Sequence, residues 1–202
     1  LTETIIKKMP KKLLLIEKDE ELIDTLKTKF SECKNIDILN LDFLKLDIEE
    51  RYHLIISNLP YNISSQIIAK ISLLEKSPDL LILMFQKEFA ERLVDKKINS
   101  INSLVNCFYK ISLKFEVSRK CFRPIPKVNS SVLTFMKKEK SLIENYEIDK
   151  FIEFKRYLFS HKRKTLKNLL KKFDIYTEIN LNLRVQDLNL KELISLFRSI
   201  NF

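Results

Sequence analysis

Four short apolar runs, three of them followed by a helical pattern, constrain this chain more than any other feature. They are Leu13-Leu14-Leu15-Ile16, Ile36-Asp37-Ile38-Leu39, His53-Leu54-Ile55-Ile56-Ser57 and Leu80 to Phe85. The first is continuous and suits a parallel strand buried on both faces. Between the runs, apolar residues recur at helical spacing. Asp19 caps a helix with Leu22, Ile23, Leu26 and Phe30 on one face. Residues 63–74 place Ile67, Ile68, Ile71 and Leu74 inward, and a further helix runs from about Gln86 to Val94. Strands alternating with helices predict an α/β fold with a parallel sheet. Thr2 to Met9 reads as a short first helix closed by Pro10, and Ser131 to Phe135 as a final strand.

Composition narrows the class. The 202 residues are 45% hydrophobic and 32% charged, which describes a globular protein with a real core. No apolar run approaches the ~18 residues of a membrane span, and the start shows no signal-peptide pattern. Cys33, Cys107 and Cys121 are scattered, and with His53 and His161 they make no metal-like spacing, so no metal is expected. The expectation is reduced thiols in a cytoplasmic compartment or an organellar matrix. The net charge of +10 favours a polyanionic partner such as nucleic acid, although the chain's richness in Lys, Asn and Ile also fits a general lysine excess. There is no glycine at all, against a usual ~7%. The chain therefore holds no Gly-rich phosphate or cofactor loop of its own.

The third run ends in Asn58-Leu59-Pro60-Tyr61, and Asn62-Ile63-Ser64-Ser65 then starts a helix. That puts the turn at the carboxyl edge of the sheet, where open α/β sheets bind ligands. Pro60 fixes its own φ and pushes Leu59 toward an extended conformation, so the Asn58 and Leu59 carbonyls are expected to point outward. An amide, two fixed carbonyls and an aromatic ring together suit a planar base carrying an exocyclic amine. The acceptors take the amine hydrogens and Tyr61 stacks on the ring. Glu17 and Asp42 stand at or just past the ends of the first two strands. Taken singly, each also serves as a helix cap or a solvated loop acid. As a trio with Asn58 they read as binding positions.

Asn58 to Tyr61 resembles the target-base motif of the amino-methyltransferases, in the form found in the rRNA adenine dimethyltransferases of the KsgA/RsmA family. Phe122-Arg123-Pro124-Ile125-Pro126-Lys127-Val128-Asn129-Ser130 matches that family's Phe-x-Pro-x-Pro-Lys-Val-x-Ser throughout. The resemblance implies a Rossmann-like class I S-adenosyl-L-methionine-dependent methyltransferase, residues 1–140, with a small all-helical C-terminal domain, residues 141–202. In the family a Gly-rich loop after the first strand ends in Leu-Thr. Leu1 and Thr2 match that end, which implies a first strand and loop upstream of residue 1. Glu17 then accepts from the ribose, Asp42 from the cofactor's adenine amine, and Asn58 borders both cofactor and target. Phe122 becomes the second face of a base sandwich. Leu59, where many relatives of the wider class have proline, leaves room for a singly methylated amine to return.

Gln86-Lys87-Glu88 also resembles the family, with Glu88 and Arg92 spaced as a surface pair. Asn99-Ser100-Ile101-Asn102-Ser103 departs from it, lacking the family's glycine and arginine there. Lys155 to Lys172 carries a run of Lys and Arg with no acid. Within it a helix bearing Lys162, Arg163, Lys164 and Lys167 is expected to contact rRNA, with Leu166, Leu169 and Leu170 inward and Lys127 as a further contact. The Arg184-Val185-Gln186-Asp187-Leu188 stretch resembles another C-terminal family segment. The implied activity is methylation of adenine N6 in small-subunit rRNA, acting as a monomer on the rRNA or the pre-ribosomal small subunit. Three alternatives stay open: an adenine methyltransferase of large-subunit rRNA of the antibiotic-resistance type, a non-catalytic nucleic-acid-binding factor on the same fold, and a fragment whose cofactor site is incomplete.

Overall fold

The structure, a computed structural model, describes residues 1–48 and 50–200. It divides into two units, residues 1–49 and residues 50–202.

The first unit contains α1 (Thr2–Ile6), β1 (Leu13–Glu17), α2 (Glu20–Lys29) and β2 (Ile36–Asn40). β1 and β2 pair in parallel, from Leu13 opposite Ile36 to Glu17 opposite Asn40. α2 makes the crossover. It starts where the Asp19 side chain accepts from the Glu21 amide, and it carries acids in its first turn and lysines in its last, both favourable to the helix dipole. Ile23 and Phe30 are buried, but Leu22 is 50% exposed. No residue of β1 is fully buried. A two-stranded sheet does not supply the double burial that the apolar run suggested. α1 is also shorter than expected. Pro10 disfavours a helical residue before it, and Met9 takes φ 49°. The amides of Lys8 and Met9 bond back to Ile5 and Ile6 to close the turn. A left-handed residue with a Cβ costs on the order of 1 kcal/mol, and a glycine is the usual way to avoid that cost.

The second unit contains β3 (Leu54–Asn58), α3 (Ser64–Ser72), β4 (Leu80–Gln86), α4 (Lys87–Val94), α5 (Asn102–Phe108), β5 (Tyr109–Val117), β6 (Ser130–Lys137), α6 (Ile148–Ser160), α7 (Leu166–Leu170) and α8 (Leu190–Arg198). Its sheet has the order β3-β4-β6-β5. β3 and β4 are parallel, while β6 runs antiparallel to both β4 and β5. The sheet is therefore mixed and not wholly parallel, because the loop after β5 turns the chain straight back into β6.

α5 and β5 were not expected from the sequence. The alternation Tyr109, Ile111, Leu113, Phe115, Val117 is a period-two strand signal. A bulge at Lys114 breaks its facing: Leu113 lies opposite Leu133, but Phe115 lies opposite Val132. One extra residue moves everything beyond it to the other face. Leu113 and Phe115 are nevertheless both exposed, 46% and 58%, and Glu116 pairs with Lys87 Nζ at 2.8 Å.

Leu81, Leu83, Phe85, Leu133 and Phe135 are fully buried and form one face of the sheet's core. Phe151, Phe154, Leu158, Leu166, Leu169, Leu170 and Leu193 form a second apolar cluster, which also takes in Ile98 and Cys107. Arg198 closes the helical part with two 2.7 Å bonds to the Glu147 carboxylate and one to the Leu142 carbonyl. The Arg198 guanidinium holds the Glu147 carboxyl below its ordinary range. Among the described residues, no helix is long and apolar enough to cross a membrane.

Candidate active site

In the second unit, three segments converge on one edge of the sheet. Asn58 ends β3 opposite Met84, Gln86 ends β4 opposite Ser130, and Val117 ends β5 opposite the same Ser130. Asn58-Tyr61 and the loop of residues 118–129 thus leave the sheet at its β3/β4 carboxyl edge. Leu59 is buried and anchors the turn, while Asn58 is exposed. The Ile63 amide bonds to the Pro60 carbonyl and the Ser64 hydroxyl to the Tyr61 carbonyl, which fixes the path into α3. Among the described residues, nothing hydrogen-bonds to the Asn58 side-chain amide or to the Leu59 carbonyl. These are the acceptors expected to face an amine.

Tyr61 is half-buried, and its hydroxyl is 2.6 Å from Ser130 Oγ. Ser130 is the last residue of the Phe122–Ser130 motif, so one short bond ties the two motifs together across 69 residues of chain. Ser130 is fully buried, and its hydroxyl holds the phenol ring at its tip. As a motif residue Ser130 was visible in the sequence, but this role for it was not. The loop is fastened as well. Asn129 Oδ1 accepts from the Arg119 amide at 3.0 Å, the Asn129 carbonyl accepts from the Lys87 amide, and Arg119 Nη1 reaches the Lys127 carbonyl. Phe122 follows the short turn Arg119–Cys121 and is half-buried, with Lys127 exposed beyond it.

Asn102 is the first residue of α5, within the stretch 99–103. It is 2% exposed. Its Nδ2 donates to the carbonyls of Arg92, Asp95 and Lys97, and its Oδ1 accepts from the Asn99 amide. This residue is a knot joining α4 to α5. Arg92 lies over the Phe89 ring, 5.4 Å from its centre.

In the first unit, Glu17 and Asp42 stand at the carboxyl edge of β1 and β2. Glu17 Oε1 accepts from the amides of Lys18 and Asp19, and among the described residues Oε2 is left open. Asp42 Oδ1 accepts from the Leu44 amide and Oδ2 from Lys18 Nζ. The Leu44 amide first, and then Lys18, holds the Asp42 carboxyl below its ordinary range. It is therefore a dedicated acceptor at neutral pH, which suits an amine donor. Leu1 precedes α1 and is exposed, and Thr2 is its first residue.

The basic run is not one helix. α6 ends at Ser160, and Lys162, Arg163 and Lys164 lie on an exposed turn before Thr165 bridges to Arg184 and α7 begins. The Ser160 hydroxyl bonds back to the Tyr157 carbonyl, competing with helix continuation. Leu166, Leu169 and Leu170 point inward as expected. Lys155 turns inward too, 4% exposed, its ammonium 5.7 Å from the centre of the Phe151 ring. The other bases of the run are exposed.

Comparison with known proteins places this architecture. The model of the family described as ribosomal RNA adenine dimethylase matches residues 1–201. A ribosomal RNA small subunit methyltransferase A from Malacoplasma penetrans is 39% identical over 84% of this chain and 63% of its own length. Another of that name from Thermotoga maritima is 33% identical over 98% of this chain and 70% of its own. The chain thus spans 63% and 70% of the lengths of these two relatives. Among solved structures, a dimethyladenosine transferase from Plasmodium falciparum superposes with a TM-score of 0.78 at 24% identity, covering 95% of this chain and 85% of that one. That likeness shows the fold, α/β as the strand pattern led us to expect. On the family model and these relatives together, the chain belongs to the ribosomal RNA adenine dimethylase family.

Proposed function

We propose that this protein methylates N6 of adenine in small-subunit ribosomal RNA, using S-adenosyl-L-methionine. The observation that carries the reading is the Tyr61–Ser130 bond, which joins the amine-accepting turn to the Phe122 loop at one sheet edge. Family membership supports the same assignment.

When bound, the cofactor would supply a methyl group on cationic sulfur, the S–CH3 bond breaking and its electron pair staying on sulfur as the neutral thioether leaves. Glu17 and Asp42 fit its ribose hydroxyls and adenine amine, since both are acceptors at one strand edge. The target amine is a poor nucleophile because its lone pair is delocalised into the ring. Asn58 Oδ1 and the Leu59 carbonyl accept its hydrogens, turn the lone pair out of conjugation, and disperse positive charge as the new N–C bond forms. No strong base is required, and the displaced proton leaves to water. This is positioning combined with preorganised electrostatics. Tyr61 and Phe122 clamp the base, and the Ser130 bond fixes the angle of the Tyr61 ring.

Residues 141–202 serve as an rRNA-binding appendage, with Lys162, Arg163, Lys164 and Lys167 on phosphates and Lys127 beside the base. RNA bases are read best when unpaired, so the substrate is a loop or an incompletely assembled small subunit. The protein acts as a monomer in the cytoplasm or an organellar matrix. Replacing Tyr61 and Phe122 with Ala tests this. Loss of methylation with cofactor affinity retained is expected, whereas equal loss of both means that the rings are structural.

A further inference from the structure

Lys18 lies between the two acids of the first unit, and the proposed mechanism does not use it. Its backbone amide donates to Glu17 Oε1 at 2.7 Å, and its ammonium reaches Asp42 Oδ2 at 3.2 Å. Asn40 Nδ2 holds the carbonyls of both Glu17 and Lys18, at 3.2 and 3.1 Å, so the backbone beneath the side chain is fixed. Asp42 has one oxygen committed to the Leu44 amide. Its other oxygen is the acceptor left for a ligand, and the Lys18 ammonium sits on it.

We infer that Lys18 is a positioning residue that competes with the cofactor's adenine amine for Asp42 Oδ2. The inference rests on the assignment of Asp42 to that amine. An incoming neutral amine shares that oxygen with a cationic donor, so the ammonium weakens its own bond or swings out into water. Lys18 is free to do so, because its side chain is 76% exposed. Exposed ion pairs are weak and screened by salt, so the competition lowers affinity modestly and tunes cofactor exchange without blocking the site.

The test is calorimetric titration of the full chain with S-adenosylhomocysteine, whose lack of net charge removes long-range repulsion from Lys18. Lys18→Met is expected to tighten binding about two- to fivefold at low salt, the range an exposed pair permits. Lys18→Arg is expected to restore the parental value. Added salt is expected to tighten the parent toward Lys18→Met, a response that a merely structural lysine does not give. If Lys18→Met binds no better than the parent while Asp42→Ala loses binding, the role of Lys18 is overturned and the role of Asp42 stands. If Asp42→Ala binds as well as the parent, the cofactor assignment falls and takes this inference with it.

Discussion

Lys155 gives the sharpest energetic prediction. Burial pushes its ammonium down to about 8 from 10.5. A drop of about 2.5 pH units corresponds to roughly 3 kcal/mol of lost folding free energy while the folded lysine is charged. The sign follows from the depressed folded value. Below pH 8 both states are protonated and the full cost applies. Between pH 8 and 10.5 the folded lysine has shed its proton and the unfolded one has not, so stability climbs. Above 10.5 the cost is gone. Cys107, its thiol pushed up by burial to about 12, stays neutral through that window. Lys155→Met keeps the stem that packs near Phe151 and removes the charge. It should be more stable than the parent by about 2–3 kcal/mol at pH 7, roughly 5–10 °C in Tm for a chain of this size. The gain should shrink steadily from pH 8 to pH 10.5. Urea unfolding followed by circular dichroism at pH 6, 7, 8, 9 and 10 reads both effects. A variant less stable than the parent at pH 7, or a gain that does not change with pH, refutes the reasoning.

Other substitutions probe the site and its frame. Tyr61→Phe and Ser130→Ala each break the bond that ties the motifs together. Their double-mutant cycle in urea should give a coupling of about 0.5–1.5 kcal/mol, and additive effects would mean that the bond is not formed in solution. Asn102→Ala removes the donor for three carbonyls and should cost at least about 2 kcal/mol, with faster amide exchange confined first to residues 92–102. Replacing Lys162, Arg163 and Lys164 with Gln should weaken rRNA binding at every sequence. It should also flatten the log–log salt slope by roughly 0.7–0.9 for each phosphate no longer neutralised, and an unchanged slope would remove that turn from the interface.

What could be read from sequence follows from how local each signal is. Leu13–Glu17, Leu54–Asn58 and Leu80–Gln86 were visible because apolar runs ending in polar residues need no partner to be recognised. The Asp19 cap was visible for the same reason. The mixed sheet was not, because strand direction is set by pairings between residues as distant as Leu81 and Phe135. The bulge at Lys114 changes which face a residue takes without changing the sequence pattern, so Glu116 could not be placed beside Lys87 beforehand. The motif residues 58–61 and 122–130 were readable as motifs. That Ser130 holds Tyr61 depends on the β4–β6 register, which only the folded chain supplies. Lys18 on Asp42 escaped notice because the two lie 24 residues apart and meet only through the parallel pairing of β1 with β2.

The most direct measurement is mass spectrometry of small-subunit rRNA from gene-deletion cells that express the parent gene or its Tyr61→Ala variant. The account predicts methyl groups on adenine N6 with the parent chain and none with Tyr61→Ala, although that variant still binds cofactor. Unmodified adenines with the parent, or equal modification by Tyr61→Ala, would contradict it.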